Sequence, residues 1–290
     1  MRTKLLFGTA GPPGGDADGG TVGGIRRARA SGLGCMEVEF VRGVKMGEAT
    51  AAAVRAAAGE CEIKLSCHAP YYINLASPDR EKRKSSIMRL FEAARIGRLC
   101  GADSTVFHPG FYMGRKPGKI YVSIRSSLEK VLKMMKEAGV EGMALRPELT
   151  GKPSQFGDLD EILRLSADLE NTAPCVDFSH YYSRSAGAFN TQEDFAGAVE
   201  KIGAVLGGAA VENLHLHISG ILHGPAGERC HRPLEDSEFR YRDLLRALAA
   251  AGAGGRVICE SPNEVKEKDA LLMQRCYGRY VEKTKEKNRA

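Results

Sequence analysis

Eight short apolar runs recur along the chain, at residues 5–8, 36–41, 63–67, 105–107, 143–145, 174–176, 214–218 and 257–259. Longer stretches between them place apolar residues at helical spacing. Ile87, Leu90, Phe91, Ala94 and Ile96 share a face over 84–99. Leu128, Val131, Leu132 and Met135 do so over 124–138, and Leu159, Ile162, Leu163 and Leu165 over 158–169. Eight strand–helix repeats in 290 residues predict an α/β fold, a (β/α)8 TIM barrel forming a single domain over 1–290. An open doubly wound sheet would want a G-x-G-x-x-G turn after its first strand. Gly8-Thr9-Ala10-Gly11-Pro12-Pro13-Gly14 fails that spacing, and its prolines obstruct the amides that would cradle a phosphate. Residues 11–24 read as a mobile first loop.

Composition narrows the setting. The chain is 43% hydrophobic, enough for a sizeable core, yet no apolar run approaches the ~20 residues that cross a bilayer. Residues 1–4 lead too quickly into polar sequence for a signal peptide. Eight cysteines without a C-x-x-C pair read as small reduced hydrophobes, so a cytoplasmic protein is expected. A net charge of +6 permits an anionic partner such as nucleic acid without requiring one.

In a barrel the chemistry lies at the C-terminal ends of the strands. There the sequence puts His68 (strand three), His108 (four), Glu148 (five), Asp177 with His180 (six), His215 (seven), His231 in the following loop, and Glu260 (eight). A lone histidine at a strand end is more often a hydrogen-bonded structural group than a ligand. Five of the seven histidines and three carboxylates on one rim are another matter, because the carboxylates would repel unless cations lay between them. Mixed histidine and carboxylate ligation suits zinc, with manganese as the alternative ion. A shared carboxylate such as Glu148 could bridge two ions, as in sites for phosphoryl chemistry. His217 faces the same side as His215, nearer the mouth. It reads either as a further ligand or as a buried histidine hydrogen-bonded beside one. Arg146 and Lys152 flank the cluster and could meet phosphates.

The stretches H-A-P-Y-Y-I-N-L-A-S-P (68–78), F-H-P-G (107–110), P-E-L-T-G (147–151), V-D-F-S-H (176–180), H-L-H-I-S (215–219) and C-E-S-P (259–262) resemble the endonuclease IV family. These are zinc-dependent apurinic/apyrimidinic endonucleases of DNA base-excision repair, built on a xylose isomerase-like TIM barrel. The resemblance implies a hydrolase that incises duplex DNA 5′ to abasic sites through a metal-bridged hydroxide, acting as a monomer. It implies His68, His108 and Glu148 around one zinc, and Glu148, Asp177, His215 and Glu260 around a second. His180 and His231 would give two of three ligands to a third. Glu148, Asp177 and Glu260 become the catalytic carboxylates, and Tyr71, Tyr72 and Arg42 the DNA contacts.

Three departures matter, one being that the first two loops, 11–24 and 41–45, do not reproduce the family's DNA-contacting segments well. The family's last metal segment is Asp-x-His, whereas this chain has Arg229-Cys230-His231. Glu228 or Cys230 could stand in as the ligand, or Arg229 could supply the positive charge itself and leave two ions in place of three. The family's polar and basic residues after the strand-seven histidine are also replaced. Two other classes therefore stay open: a single-metal sugar isomerase or epimerase using Glu148, Asp177, His215 and Glu260, and a nucleic-acid-binding homologue with weakened catalysis.

Overall fold

Each predicted apolar run is a strand in the computed structural model, which describes residues 5–14 and 19–287. The strands are β1 Leu5–Ala10, β2 Cys35–Glu39, β3 Lys64–His68, β4 Ser104–Phe107, β5 Ala144–Pro147, β6 Val176–Asp177, β7 Leu214–Ile218 and β8 Gly255–Cys259. They form one parallel sheet in the order β5-β4-β3-β2-β1-β8-β7-β6. The sheet closes where β5 meets the approach to β6: the Cys175 amide donates to Pro147 O (3.0 Å) and the Leu149 amide to Cys175 O (3.0 Å). Closure of this kind makes an α/β barrel and removes the exposed sheet edges.

Strand alternation decides what fills the barrel. Cys67 Sγ reaches Ala93 O in the helix Arg80–Leu99, so this side of β3 faces the helical layer. Its neighbours Ser66 and His68 therefore point inward. On β7, Leu214, Leu216 and Ile218 are all buried and alternate with the inward-pointing His215 and His217. The outward set packs on helices that bury a continuous stripe, such as Ile120, Ile124, Leu128 and Val131 of Pro117–Glu137. The apolar core is thus the shell between strands and helices, and the barrel interior is largely polar.

Local chemistry sets the helix starts. The Asp79 carboxylate accepts from the Glu81 and Lys82 amides at the start of Arg80–Leu99. Asp158 and Glu161 form a reciprocal capping box ahead of Leu159–Asp168. Two of the helices begin ahead of their apolar patterns, at residues 80 and 117, because caps and a first-turn proline extend them. The expectation for the first loop is corrected in part: a helix already begins at Gly20, so residues 20–24 are helical. Residues 15–18 of that loop, the leading residues 1–4 and the last three residues of the basic tail lie outside the described residues. No helix of the described residues is long and apolar enough to cross a membrane.

Two short antiparallel pairs cap the C-terminal mouth, Gly110–Phe111 with Gln155–Phe156 and Gly220–Gly224 with Gly227–Arg232. The second carries His231.

Candidate metal centre

Glu148 is the hub. Its Oε2 lies 3.0 Å from His68 Nε2 and 2.9 Å from His108 Nε2, and its Oε1 lies 3.2 Å from His180 Nδ1 and 3.4 Å from His217 Nδ1. Asp177 caps the helix Phe178–Arg184 through Oδ1, which accepts from the His180 amide (2.7 Å), leaving Oδ2 free to face the cluster. Glu260 Oε1 stands 3.4 Å from His217 Nδ1. Five groups of ligand atoms come close enough together to hold an ion, among them His108–Glu148–His180, Glu148–Asp177–His217–Glu260 and His180–His231–Glu260.

Backbone carbonyls decide which ring nitrogen each histidine offers. A carbonyl can only accept, so a nitrogen facing one carries the proton. His68 Nδ1 donates to Ala69 O (2.7 Å), His180 Nδ1 to Leu149 O (3.0 Å) and His231 Nδ1 to Glu260 O (2.9 Å). With Nδ1 engaged in all three, Nε2 is the nitrogen each would offer to an ion once its own proton is released.

The seventh strand differs from expectation. His217, not His215, joins Glu148, Asp177 and Glu260. The register explains it: Asp177 pairs with His217 across β6–β7, and Ile258 pairs with His217 across β7–β8. His215 lies two residues further down, about 6–7 Å along the strand, where its Nε2 bonds Glu37 Oε2 (3.1 Å). Cys175 shares that lower level, and the Sγ of Cys175 groups with His215 and His217. Arg146 is also corrected. It is buried beneath Glu148, donates to Pro174 O (2.9 Å), and does not reach the rim where a phosphate would bind.

A bulge settles the geometry of the hairpin. Along Gly227–Arg232, Glu228 pairs with His223 and Cys230 with Leu222, so Arg229 is the extra, unpaired residue. An extra residue shifts the alternation by one and turns Glu228 and His231 to the same side. The Glu228 carboxylate then lies 3.5 Å from His180 Nε2 and 3.6 Å from His231 Nε2. Cys230 is exposed, and the exposed Arg229 lays its guanidinium against Gly224 at the hairpin turn. Of the alternatives for the missing aspartate, Glu228 is therefore the residue brought to the histidines. Gly151 makes room for this contact: a Cβ there would lie 2.8 Å from Glu228 and 2.9 Å from the His180 ring. Gly227, at φ +92°, brings the hairpin backbone onto Gly151 O, where any side chain would collide.

Two residues of the site escaped sequence reasoning. Glu37 and Glu39 project inward from β2, and only their spacing of two inside an otherwise apolar run signalled it. Glu37 is fully buried and accepts from Ser66 Oγ (2.7 Å). Glu39 lines a cavity of about 490 Å³ at the mouth of β1 and β2, together with Arg42, Lys45, Asn263 and Lys266. Tyr71 and Tyr72 stand on the rim, 52% and 44% exposed, ring edge to ring face. Arg89 stacks over Tyr72.

The electrostatics are those of a crowded anionic site. Burial works to raise the Glu148 carboxyl, but His108, His180 and His217 beside it hold it well below the usual range. Burial lifts Asp177 to about 7 against the pull of His180, helped by Glu260 and Glu148. Glu148 raises His68 to about 10 despite burial that would lower it. Protons on imidazoles thus supply the counter-charge, and cations would displace them.

The residues fit such ions. Glu148 Oε1, Asp177 Oδ2, His217 Nδ1 and His231 Nε2 are buried without a hydrogen-bond partner. Unpartnered buried donors of these types, converging from several strands, are what divalent cations satisfy. Burial also grades outward. Asp177 is inaccessible, while the side chains of His108, Glu228 and His231 are 22–27% exposed on the open side.

Residues 25–276 match the model of the xylose isomerase-like TIM barrel family. An uncharacterised protein of Methanocaldococcus jannaschii is 44% identical over 94% of this chain and 97% of its own. A probable endonuclease 4 of Symbiobacterium thermophilum is 30% identical over 79% of this chain and 85% of its own. Among solved structures, endonuclease IV from Thermus thermophilus superposes with a TM-score of 0.71 at 21% identity, covering 96% of this chain and 99% of its own. A D-tagatose 3-epimerase-like protein superposes with 0.73 at 17% identity, covering 98% and 99%.

Proposed function

The chain belongs to the xylose isomerase-like TIM barrel family, and from that premise we propose that it is a metal-dependent phosphodiesterase of the endonuclease IV type, incising duplex DNA 5′ to abasic sites. One observation carries this reading. Beyond the quartet Glu148, Asp177, His217 and Glu260, His68, His108 and His180 stand 3.0, 2.9 and 3.2 Å from Glu148, and Glu228 lies 3.5 Å from His180 and 3.6 Å from His231, more donors than one ion needs. His68, His108 and Glu148 would hold one zinc, and Glu148, Asp177, His217 and Glu260 a second. His180, Glu228 and His231 would hold a third. When bound, such ions lower the pKa of water and neutralise charge on a phosphodiester.

The chain's own groups do the rest. Glu148 spans two sets through its two oxygens and fixes their spacing. Asp177, locked by its capping bond, keeps Oδ2 aimed inward and dry. Glu260 anchors His231 through its carbonyl while its side chain faces the second set. Exposed Tyr71 and Tyr72 offer ring faces to an opened duplex beside the lesion, and exposed Arg42 offers a cation to the backbone. All eight cysteines are free, in keeping with a cytoplasmic enzyme.

The test is a duplex carrying one abasic analogue: the zinc-loaded chain nicks it on the 5′ side, and a strong chelator abolishes the cut. A fully loaded chain that leaves it intact overturns the reading. A second reading, a single-ion sugar epimerase, draws on the quartet Glu148, Asp177, His217 and Glu260 and on the epimerase-like fold neighbour. It predicts one ion per chain and turnover of a ketose.

A further inference from the structure

We propose that Glu37 is a positioning residue that orients His217 from beneath, so that His217 Nδ1 faces the carboxylate cluster; the inference rests on the metal-centre reading above. His217 Nε2 lies 3.0 Å from Glu37 Oε1, and on the opposite edge of the ring Nδ1 lies 3.4 Å from both Glu148 and Glu260. Both residues are inaccessible to solvent. The Cys175 thiol also lies beside the ring, and neither facing atom has an aligned hydrogen-bond partner. They sit off the ideal line, and a small rotation of the imidazole about its Cβ–Cγ bond aligns them.

The carboxylate can only accept, which puts the proton on Nε2 and the lone pair on Nδ1. Glu37 is itself held from the other side: Ser66 Oγ donates to its Oε2 (2.7 Å) and His215 Nε2 meets the same oxygen (3.1 Å). A carboxylate behind a ligating imidazole fixes its tautomer and raises its basicity, and losing it typically costs 10–100-fold in metal affinity. This also gives His215 a role: it secures the group that secures His217.

The test reads ion binding in the intact chain, by chelator competition with Zn²⁺ and by the visible spectrum of the Co²⁺-loaded protein. Glu37→Gln weakens ion binding about tenfold or more and shifts the Co²⁺ bands. Ser66→Ala, which removes only the hydroxyl feeding Glu37, weakens it by a smaller factor. Asp243→Asn removes a buried carboxylate remote from the centre, paired with Arg240 and Arg246, and leaves the spectrum unchanged. Wild-type affinity and spectrum in Glu37→Gln overturn the proposal, as do equal losses in Glu37→Gln and Asp243→Asn, which would mark a general effect of removing a buried carboxylate. Should Glu37→Gln not fold, Ser66→Ala decides, and unaltered binding there is contrary. Because no DNA is involved, Glu37-dependent ion binding in a chain that spares abasic duplex would remove the nuclease reading and leave this one standing.

Discussion

The barrel interior has two tiers built from similar residues with opposite fates. In the lower tier Arg256 donates to Leu65 O (3.2 Å) and pairs with Asp103, Arg146 donates to Pro174 O and Asn213 O, and Glu37 receives Ser66 and His215. Each of these groups has at least one protein partner, and among their buried atoms only Glu37 Oε1, Arg146 Nε and His215 Nδ1 lack one. In the upper tier Glu148, Asp177, His217 and His231 retain buried atoms with no partner. Since buried charge is tolerated only when paired or ligated, the lower tier is a supporting network and the upper one is where cations could bind. Two residues along one strand separate the two roles, as His215 and His217 demonstrate. Neutral His215 shows the contrast: burial, with Arg146 and Arg256 nearby, depresses it to about 3 despite Glu37.

Breaking the hub has the largest expected effect. Glu148→Ala removes the carboxylate shared by two ligand sets; incision falls by at least about 10²–10³-fold and zinc content drops, as nicking assays and metal analysis would record. The next experiment divides the tiers directly. His217→Asn lowers zinc affinity by about 10–100-fold, whereas His215→Asn, a change that reaches the centre only through Glu37, loses affinity by a smaller factor, keeps near-normal stoichiometry and lowers stability by about 1–3 kcal/mol in denaturant unfolding. Equal metal loss in both variants would erase the distinction.

Smaller effects sharpen the rim. Tyr72→Ala weakens binding to abasic duplex by about 1–3 kcal/mol, with zinc content unchanged. Arg229→Ala, an exposed bulge residue, shifts stability by no more than about 0.5 kcal/mol and leaves the ion count alone.

Acidification should act on the upper tier with a definite sign. His68, raised to about 10, and Asp177, raised to about 7, hold protons more tightly than usual and must release them to ligate. Ion affinity therefore rises with pH across that range and falls as pH drops through about 7. An ion-binding titration that is flat between pH 6 and 8, an interval chosen around the Asp177 value, would contradict it.

Most of the fold was legible because each apolar run is a strand buried on both faces, and eight of them allow few arrangements. Strand ends likewise announced His68, His108, Glu148, Asp177 and Glu260, since position along the chain translates directly into position on the rim. Three features were not legible. His215 and His217 share a face, and only register against Asp177 tells which one is level with the cluster. Glu37 and Glu39 were concealed in an apolar run whose outward residues, Met36 and Val38, dominate its character. Glu228 faces His180 only because a bulge at Arg229 shifts the alternation, and backbone irregularities of that kind leave no mark in residue spacing.

Counting ions per chain tests the central claim most directly. Metal analysis of the purified, zinc-saturated chain should give more than one ion, three if every set fills, and Glu228→Gln should bind one fewer. A single ion in both proteins would contradict the account and favour the epimerase-type centre.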